Sequence, residues 1–286
     1  MDLLVVGGSG FLGRELVRQS LAAGHRVTAT YRSRPADIAG VEWRSVDVCQ
    51  RRDVAAIAES TQPDLIINAA YRQSDWRTTA DGAAHVALAA AAVRARLIHV
   101  SSDAVFSGAA IRYDETSVPD PTTPYGAAKA AAETAVKGIA PAAAIARTSL
   151  IIGDGGSQHE LLVHALIDGI RTGVLFSDDV RCPVHVADLG QALLELAASR
   201  HAGIHHVAGA DAISRHELGQ LIARRDRLDG TSLPTGRRAD TNLPGPIDVR
   251  LDCRRTQARL KIRLRGAREF LAPPTTVPHP PAGCAR

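Results

Sequence analysis

The sequence predicts an α/β fold, a doubly wound parallel sheet with a small C-terminal lobe. Three observations carry that expectation. Short apolar runs alternate with helix-length stretches through the first half of the chain, a pattern that favours parallel strands joined by helices. Asp64–Ala70 (DLIINAA) is apolar almost throughout, as expected of a strand buried on both faces. The chain also opens on a strand, Leu3–Val6, that runs directly into Gly7, Gly8, Ser9, Gly10 and Gly13 and then into a helix with apolar positions Leu12, Leu16 and Val17.

The elements follow in order. Gly24-His25 closes the first helix, and Arg26–Tyr31 is rich in β-formers. Trp43–Val48 supplies a third strand, Val54–Glu59 a helix, and the fourth strand ends in Asn68, Ala69 and Ala70. A helix over Asp81–Arg94 leads to a fifth strand, Arg96–Ser102, and an alanine-rich helix opens at Tyr125 and continues to Val136. Ala142–Ile152 reads as a sixth strand, Glu160–Ile170 as an amphipathic helix, Leu189–Ala198 as another, and Gly203–Ala208 as a further sheet strand. Ser214 and Glu217 have capping-box spacing before a helix to about Arg224. Leu228–Pro246 reads as irregular loop, and the proline-rich end from Ala272 as a disordered tail. The implied division is 1–153 for a dinucleotide-binding core, 154–271 for a segment that completes the sheet and forms the substrate lobe, and 272–286 for the tail.

Composition narrows the function. With 286 residues, 22% charged and a net charge of +4, the chain can bury a full core and has no concentrated basic stretch, so nucleic acid is not expected as a partner. Nearly all the positive charge is arginine; the lysines are Lys129, Lys137 and Lys261. Cys49, Cys182, Cys253 and Cys284 are far apart and form no metal-ligand pattern, so no metal is expected. The N-terminus carries no leader pattern, and the apolar run Ala83–Val93 is too short for a bilayer, which takes about twenty residues. The expected setting is the cytoplasm, without membrane association.

The N-terminal GxxGxxG turn points to a dinucleotide. Gly7 suits a tight turn, Gly10 lets the backbone approach a pyrophosphate, Gly13 lets the helix pack on the strand, and the helix N-terminus offers free N–H groups to phosphate. Phe11 and Leu12 belong to the same turn. The second strand ends not in the acidic residue that would bind a ribose 2′-hydroxyl but in Arg32, Ser33 and Arg34, which suit the 2′-phosphate of NADP. A solvated basic loop is the alternative there. Ligands in such sheets lie beyond the strand carboxyl ends, so Asn68, Ala69 and Ala70 are expected to face the cofactor.

Two further stretches carry chemistry. Ser102 ends the fifth strand, and Tyr125 and Lys129 stand at i and i+4 on one helical face. A nearby ammonium lowers the pKa of a phenol, so Lys129 is expected to tune Tyr125 and to hold the cofactor ribose. Ser102 would donate to a substrate carbonyl while Tyr125 delivers the proton.

With these residues in place, the chain resembles the extended short-chain dehydrogenase/reductases, and among them the dTDP-4-dehydrorhamnose reductase-like, sugar nucleotide-binding branch. The likeness runs from Met1 to about Leu271 through GGSGFLG, INAA, HVSSDAVFSG, PTTPYGAAKAAAE, ARTSLIIG and PIDVRLD. It implies a Rossmann core, with Ser102, Tyr125 and Lys129 catalytic. It also implies that Asp47 and Val48 flank the adenine and that the turn from Gly7 to Gly13 carries the pyrophosphate. The implied cofactor is NADP, with NAD as the alternative, and the implied substrate a nucleotide-linked 4-keto-deoxysugar. Related dehydratases have a Glu where this chain has Ala104, which favours reduction over dehydration. An epimerase, or a cofactor-binding regulatory subunit, are the competing readings. The branch implies that His185 and Asp188 are structural, and folds of this type often pair as homodimers. Arg237 and Arg238 suit a substrate diphosphate or are solvated loop charges. His205 and His206 are adjacent in a strand and point apart, a poor chelate.

Overall fold

The protein is described by a computed structural model over residues 1–273. The expected tail therefore lies, from residue 274 on, outside the described residues. Seven strands form the central sheet: β1 (Asp2–Val6), β2 (Arg26–Tyr31), β3 (Glu42–Ser45), β4 (Leu65–Asn68), β5 (Arg96–Ser102), β6 (Ala144–Thr148) and β7 (Gly203–His206). Their spatial order is β7-β6-β5-β4-β1-β2-β3, and each adjacent pair is parallel. The order reverses between β1 and β4. That reversal opens a crevice at the strand carboxyl ends, where such sheets bind ligands.

Seven main helices accompany the strands: α1 (Phe11–Ala22), α2 (Arg51–Thr61), α3 (Gly82–Val93), α4 (Pro124–Ile139), α5 (Gln158–Ile167), α6 (Val186–Ala198) and α7 (Arg215–Arg225). Successive strand residues point to opposite faces, so β1 sends Leu3 and Val5 one way and Leu4 and Val6 the other. The first pair meets α1 and α6 through Leu16, Val17, Leu189 and Leu193. The second meets α2, α3 and α4 through Ile57, Val86, Ala132 and Val136. A separate cluster, built on Val163, Leu166, Leu218 and Ile222 of α5 and α7, forms the core of the C-terminal lobe. The fold is the doubly wound α/β arrangement read from the sequence.

Several boundaries differ from expectation for identifiable reasons. Ala142–Ile152 is not one strand: β6 ends at Thr148, and Ile151–Ile152 pairs instead with Val184–His185. Ser149 marks the break, because its hydroxyl donates to Asp103 Oδ2 at 2.6 Å and accepts the Cys182 N–H at 3.2 Å. A turn of π-helix, Arg77–Asp81, precedes α3. Ser214 caps α7 through the Glu217 N–H, but the Glu217 carboxylate turns to Arg268, so the box is half formed. The reciprocal box lies at Ser157 and Glu160, opening α5. The 228–246 stretch is irregular, held by short 3-10 turns and by Thr235–Gly236 pairing with Leu175–Phe176.

One buried ion pair ties α4 to the sheet. Arg147 of β6 donates from Nε to Glu133 Oε1 at 2.9 Å and from Nη2 to Oε2 at 2.8 Å, with both side chains 1% exposed. Ser101 of β5 donates to the same carboxylate at 2.7 Å, and Arg147 Nη1 reaches the Ser117 carbonyl at 3.1 Å. Removing one partner strands a buried charge, whereas removing both does not. Arg147→Met is expected to lower unfolding free energy by about 3–5 kcal/mol in urea titration, and Glu133→Leu added to it to recover most of that loss.

Candidate active site

The glycine turn is shaped by close packing. Gly7 sits at φ +83°, and a Cβ there would lie 2.8 Å from the Ala70 nitrogen. At Gly13 a Cβ would come within 2.1 Å of the Gly7 carbonyl oxygen, so no other residue lets α1 start this close to β1. Gly10 occupies the N-cap with no side-chain cap, and the first turn of α1 contains no acidic residue. Its leading N–H groups and the positive end of the helix dipole are therefore left for an anion. The cradle fits the pyrophosphate of a dinucleotide.

From this turn a cleft extends both ways along the carboxyl edge of the sheet. Toward β2 it is a cavity of about 250 Å³ lined by Gly7, Thr30, Val46, Val48, Ala70 and Thr78 among others. Beside it a second depression, about 550 Å³, is lined by Ser9, Arg14, Arg32, Ser33 and Arg34. Three guanidinium groups thus border one hollow, which fits a 2′-phosphate. Arg14 was not among the residues read from the sequence; it lies on α1, and its Nη1 donates to the Ser9 carbonyl at 3.0 Å. Arg32 is paired with Asp47 at 2.6 Å.

Two expected residues act at one remove. Asp47 lines neither part of the cleft; besides holding Arg32, it accepts the Cys49 N–H. Asn68 is 2% exposed and also lines neither part. Its Oδ1 accepts the Ala70 N–H at 3.1 Å, fixing the backbone turn that places Ala69 and Ala70 against the glycines.

On the other side the cleft widens to about 560 Å³, lined by Phe11, Leu12, Ser102, Tyr125 and Lys129. Thr123 caps α4 by accepting the Gly126 N–H at 3.0 Å, and Pro124 occupies the first turn. A Cβ on Gly126 would lie 2.1 Å from the Ala104 carbonyl oxygen. This approach holds Tyr125 against the end of β5. Ser102 Oγ accepts the Ala104 N–H and donates to Asp103 Oδ1, each at 3.2 Å.

The electrostatics of the pair differ from expectation. Burial raises the Tyr125 phenol well above its usual 10, with Tyr71 and Asp103 adding to the rise and the Ser102 hydroxyl opposing it. The Lys129 ammonium donates to the Val100 carbonyl at 2.9 Å. Burial also pushes Lys129 down to about 8, with Glu133 opposing. Tyr125 is consequently held in its neutral, protonated form.

The far wall of the cavity is cationic. Buried Asp179 collects Arg181 at 2.9 Å, Arg238 at 3.1 Å and Arg215 at 3.7 Å, and all three arginines line the cavity. Arg215 also faces His159 at 3.3 Å. Arg181 lies 3.8 Å from Asp103, which joins this wall to the Ser102 side. Three guanidinium groups against Asp103 and Asp179 leave the wall with an excess of positive charge. Of the two loop arginines considered from sequence, Arg238 reaches the cavity, while Arg237 is 64% exposed and 3.9 Å from Asp178.

Comparison with known proteins settles the family: residues 1–274 match the RmlD substrate binding domain. The chain belongs to that family. A dTDP-4-dehydrorhamnose reductase of Mycobacterium tuberculosis is 33% identical over 238 residues, 77% of this chain and 73% of that protein. The Bacillus subtilis spore coat polysaccharide biosynthesis protein SpsK is 29% identical over 79% of this chain and 80% of its own. Methionine adenosyltransferase 2 subunit beta of Xenopus laevis is 28% identical over 87% of this chain and 80% of its own. Among solved structures, a hypothetical dTDP-4-dehydrorhamnose reductase from Sulfolobus tokodaii superposes with a TM-score of 0.80 at 28% identity, covering 93% of this chain and 97% of that one. The Bacillus anthracis dTDP-4-dehydrorhamnose reductase, solved in complex with NADP, gives 0.80 at 22% identity, covering 94% and 96%.

The RmlD-type chain has the extended short-chain dehydrogenase/reductase architecture that its motifs resemble. His185 and Asp188 serve structure: His185 Nδ1 accepts the Ala187 N–H, and Asp188 is clasped by Arg265. Among the described residues no cluster of three or more metal-ligating side chains occurs, the cysteines are free thiols, and no helix is long and apolar enough to cross a membrane.

The buried histidines have a measurable consequence. Burial lowers His205 and His206 to about 4 and His159 to about 3. In the unfolded chain imidazoles take up protons from about pH 6.5 downward, so protonation favours unfolding below that pH. Stability is expected to fall as pH drops from 6.5 toward 4, read as a lower urea midpoint at pH 5 than at pH 7, and His206→Phe to flatten that dependence.

Proposed function

We propose that this RmlD-family chain is an NAD(P)H-dependent reductase of a sugar carbonyl, with NADP(H) preferred and a nucleotide-linked 4-keto-deoxysugar as substrate. The observation that carries the reading is the meeting of Ser102, Tyr125 and Lys129 in the same cavity as the glycine turn. The dinucleotide, when bound, supplies hydride to the carbonyl carbon. Gly7, Gly10, Phe11, Leu12 and Gly13 would hold its pyrophosphate, Val46, Val48 and Ala70 its adenosine end, and Arg14, Arg32, Ser33 and Arg34 a 2′-phosphate.

The protein's own part is proton delivery and orientation. Ser102 turns its hydroxyl from Asp103 to the substrate oxygen and fixes the carbonyl. Tyr125, kept protonated by burial, gives its proton to that oxygen as charge develops there. Lys129 holds ribose and counters the phenolate left behind. The arginine wall suits a substrate diphosphate, because guanidinium forks match phosphate oxygens. The names of the reductase relatives support this substrate class, and the setting proposed is the cytoplasm, with a homodimer as the assembly.

A second reading, a cofactor-binding regulatory subunit, draws on the relative named as a subunit of methionine adenosyltransferase 2. An epimerase would turn over without net NADPH consumption. Net NADPH consumption by the wild-type protein separates the reductase from both, and one substitution tests the acid. Tyr125→Phe is expected to lower kcat for keto-sugar-dependent NADPH oxidation by about 10²–10⁴-fold while dinucleotide binding is kept. Unchanged turnover would overturn the assignment of Tyr125.

Cofactor preference is tested separately by calorimetry. Arg32→Ala/Arg34→Ala is expected to weaken NADPH binding tenfold or more and to leave NADH binding unchanged, since each guanidinium–phosphate contact contributes about 1.5–3 kcal/mol. If the wild-type protein binds neither dinucleotide, the reductase reading fails.

A further inference from the structure

Tyr71 stands just beyond β4 at the corner where the two parts of the cleft meet, and it lines both. The Lys129 ammonium lies 5.2 Å from the centre of its ring, and the Tyr71 and Tyr125 rings are 5.9 Å apart. An ammonium has three donors, and Val100 accepts one.

Among the other groups around Lys129, Glu133, one turn along α4, favours the charged ammonium at a distance, but its oxygens are engaged by Arg147 and Ser101. His99 of β5 is buried and neutral, Tyr125 is protonated, and the buried residues of the π-helical turn packed on α4, Thr79 and Ala80, carry no charge. An aromatic face within about 6 Å attracts a cation, most strongly where water is excluded.

We propose that Tyr71 is a positioning residue for Lys129, its ring face holding the ammonium charged and in place at the catalytic corner. The ring, not the hydroxyl, does this, since the contact is to the π face. The role rests on the use of Lys129 in the proposed reduction, but the contact is measurable in the protein alone.

The chain has three lysines, Lys129, Lys137 and Lys261, so ε-¹³C-lysine labelling gives three resonances, and Lys129→Met identifies one. Lys129 titrates near 8 by burial. Tyr71→Leu is expected to lower that midpoint by about one unit, and Tyr71→Phe to leave it in place, with an unchanged circular dichroism spectrum and urea midpoint reporting an intact fold. A Tyr71→Leu midpoint that is unmoved or raised overturns the proposal, as does Tyr71→Phe falling as far as Tyr71→Leu. Because neither substrate nor dinucleotide is present, this result stands apart from whether the reductase reading survives.

Discussion

The geometry of the site depends on the ion pair between Glu133 and Arg147. Tyr125, Lys129 and Glu133 follow one another at intervals of four along α4, so one stripe of the helix carries the acid, the ammonium and the anchor. Fixing Glu133 to β6, and through Ser101 to β5, sets the rotation of α4 about its axis. Gly126 then sets its depth, because the Ala104 carbonyl occupies the space a side chain would need. Rotation and depth together decide where a phenol four residues before Lys129 can reach. A charge pair this deeply buried adds little net stability compared with apolar packing, but it accepts only one arrangement of its partners. Here that arrangement is what aims the catalytic residues.

Polarity is distributed unevenly along the cleft. The end beside β2 ends in guanidinium groups, the middle is backbone N–H and small apolar side chains, and the far wall has three arginines arranged around Asp179. Both ends suit anions, while the centre keeps Tyr125 and Lys129 out of water. The same burial raises the Tyr125 phenol above its usual value, so the side chain is protonated across the neutral range.

What the sequence made legible was local. The glycine turn, the i and i+4 placement of Tyr125 and Lys129 and the apolar strands are each written within a dozen residues, so spacing alone exposes them. The rest is tertiary. The break after Thr148 follows from a hydroxyl that meets Asp103, 46 residues away, and cannot be seen in the apolar run itself. Arg181, Arg215 and Arg238 come from three separate elements and become one wall only when folded. Arg14 looks like any exposed helix residue until β2 brings Arg32 and Arg34 beside it, and Tyr71 gives no sign in the sequence of the lysine it faces. Helical spacing puts Tyr125 and Lys129 on one face, but the Val100 carbonyl that the ammonium meets is supplied by another strand and gives no sign in the local sequence.

The bare start of α1 has a consequence for the life of the chain. A helix that begins without a capping side chain forgoes about 1 kcal/mol, and α1 packs against both β1 and α6 at the centre of the sheet. An anion seated there supplies the missing acceptors, so occupancy and foldedness become two readings of one equilibrium. A ligand that binds the folded chain alone adds to its stability in proportion to the logarithm of its concentration over its Kd, so a resistance to unfolding that rises with dinucleotide is built into the way α1 starts.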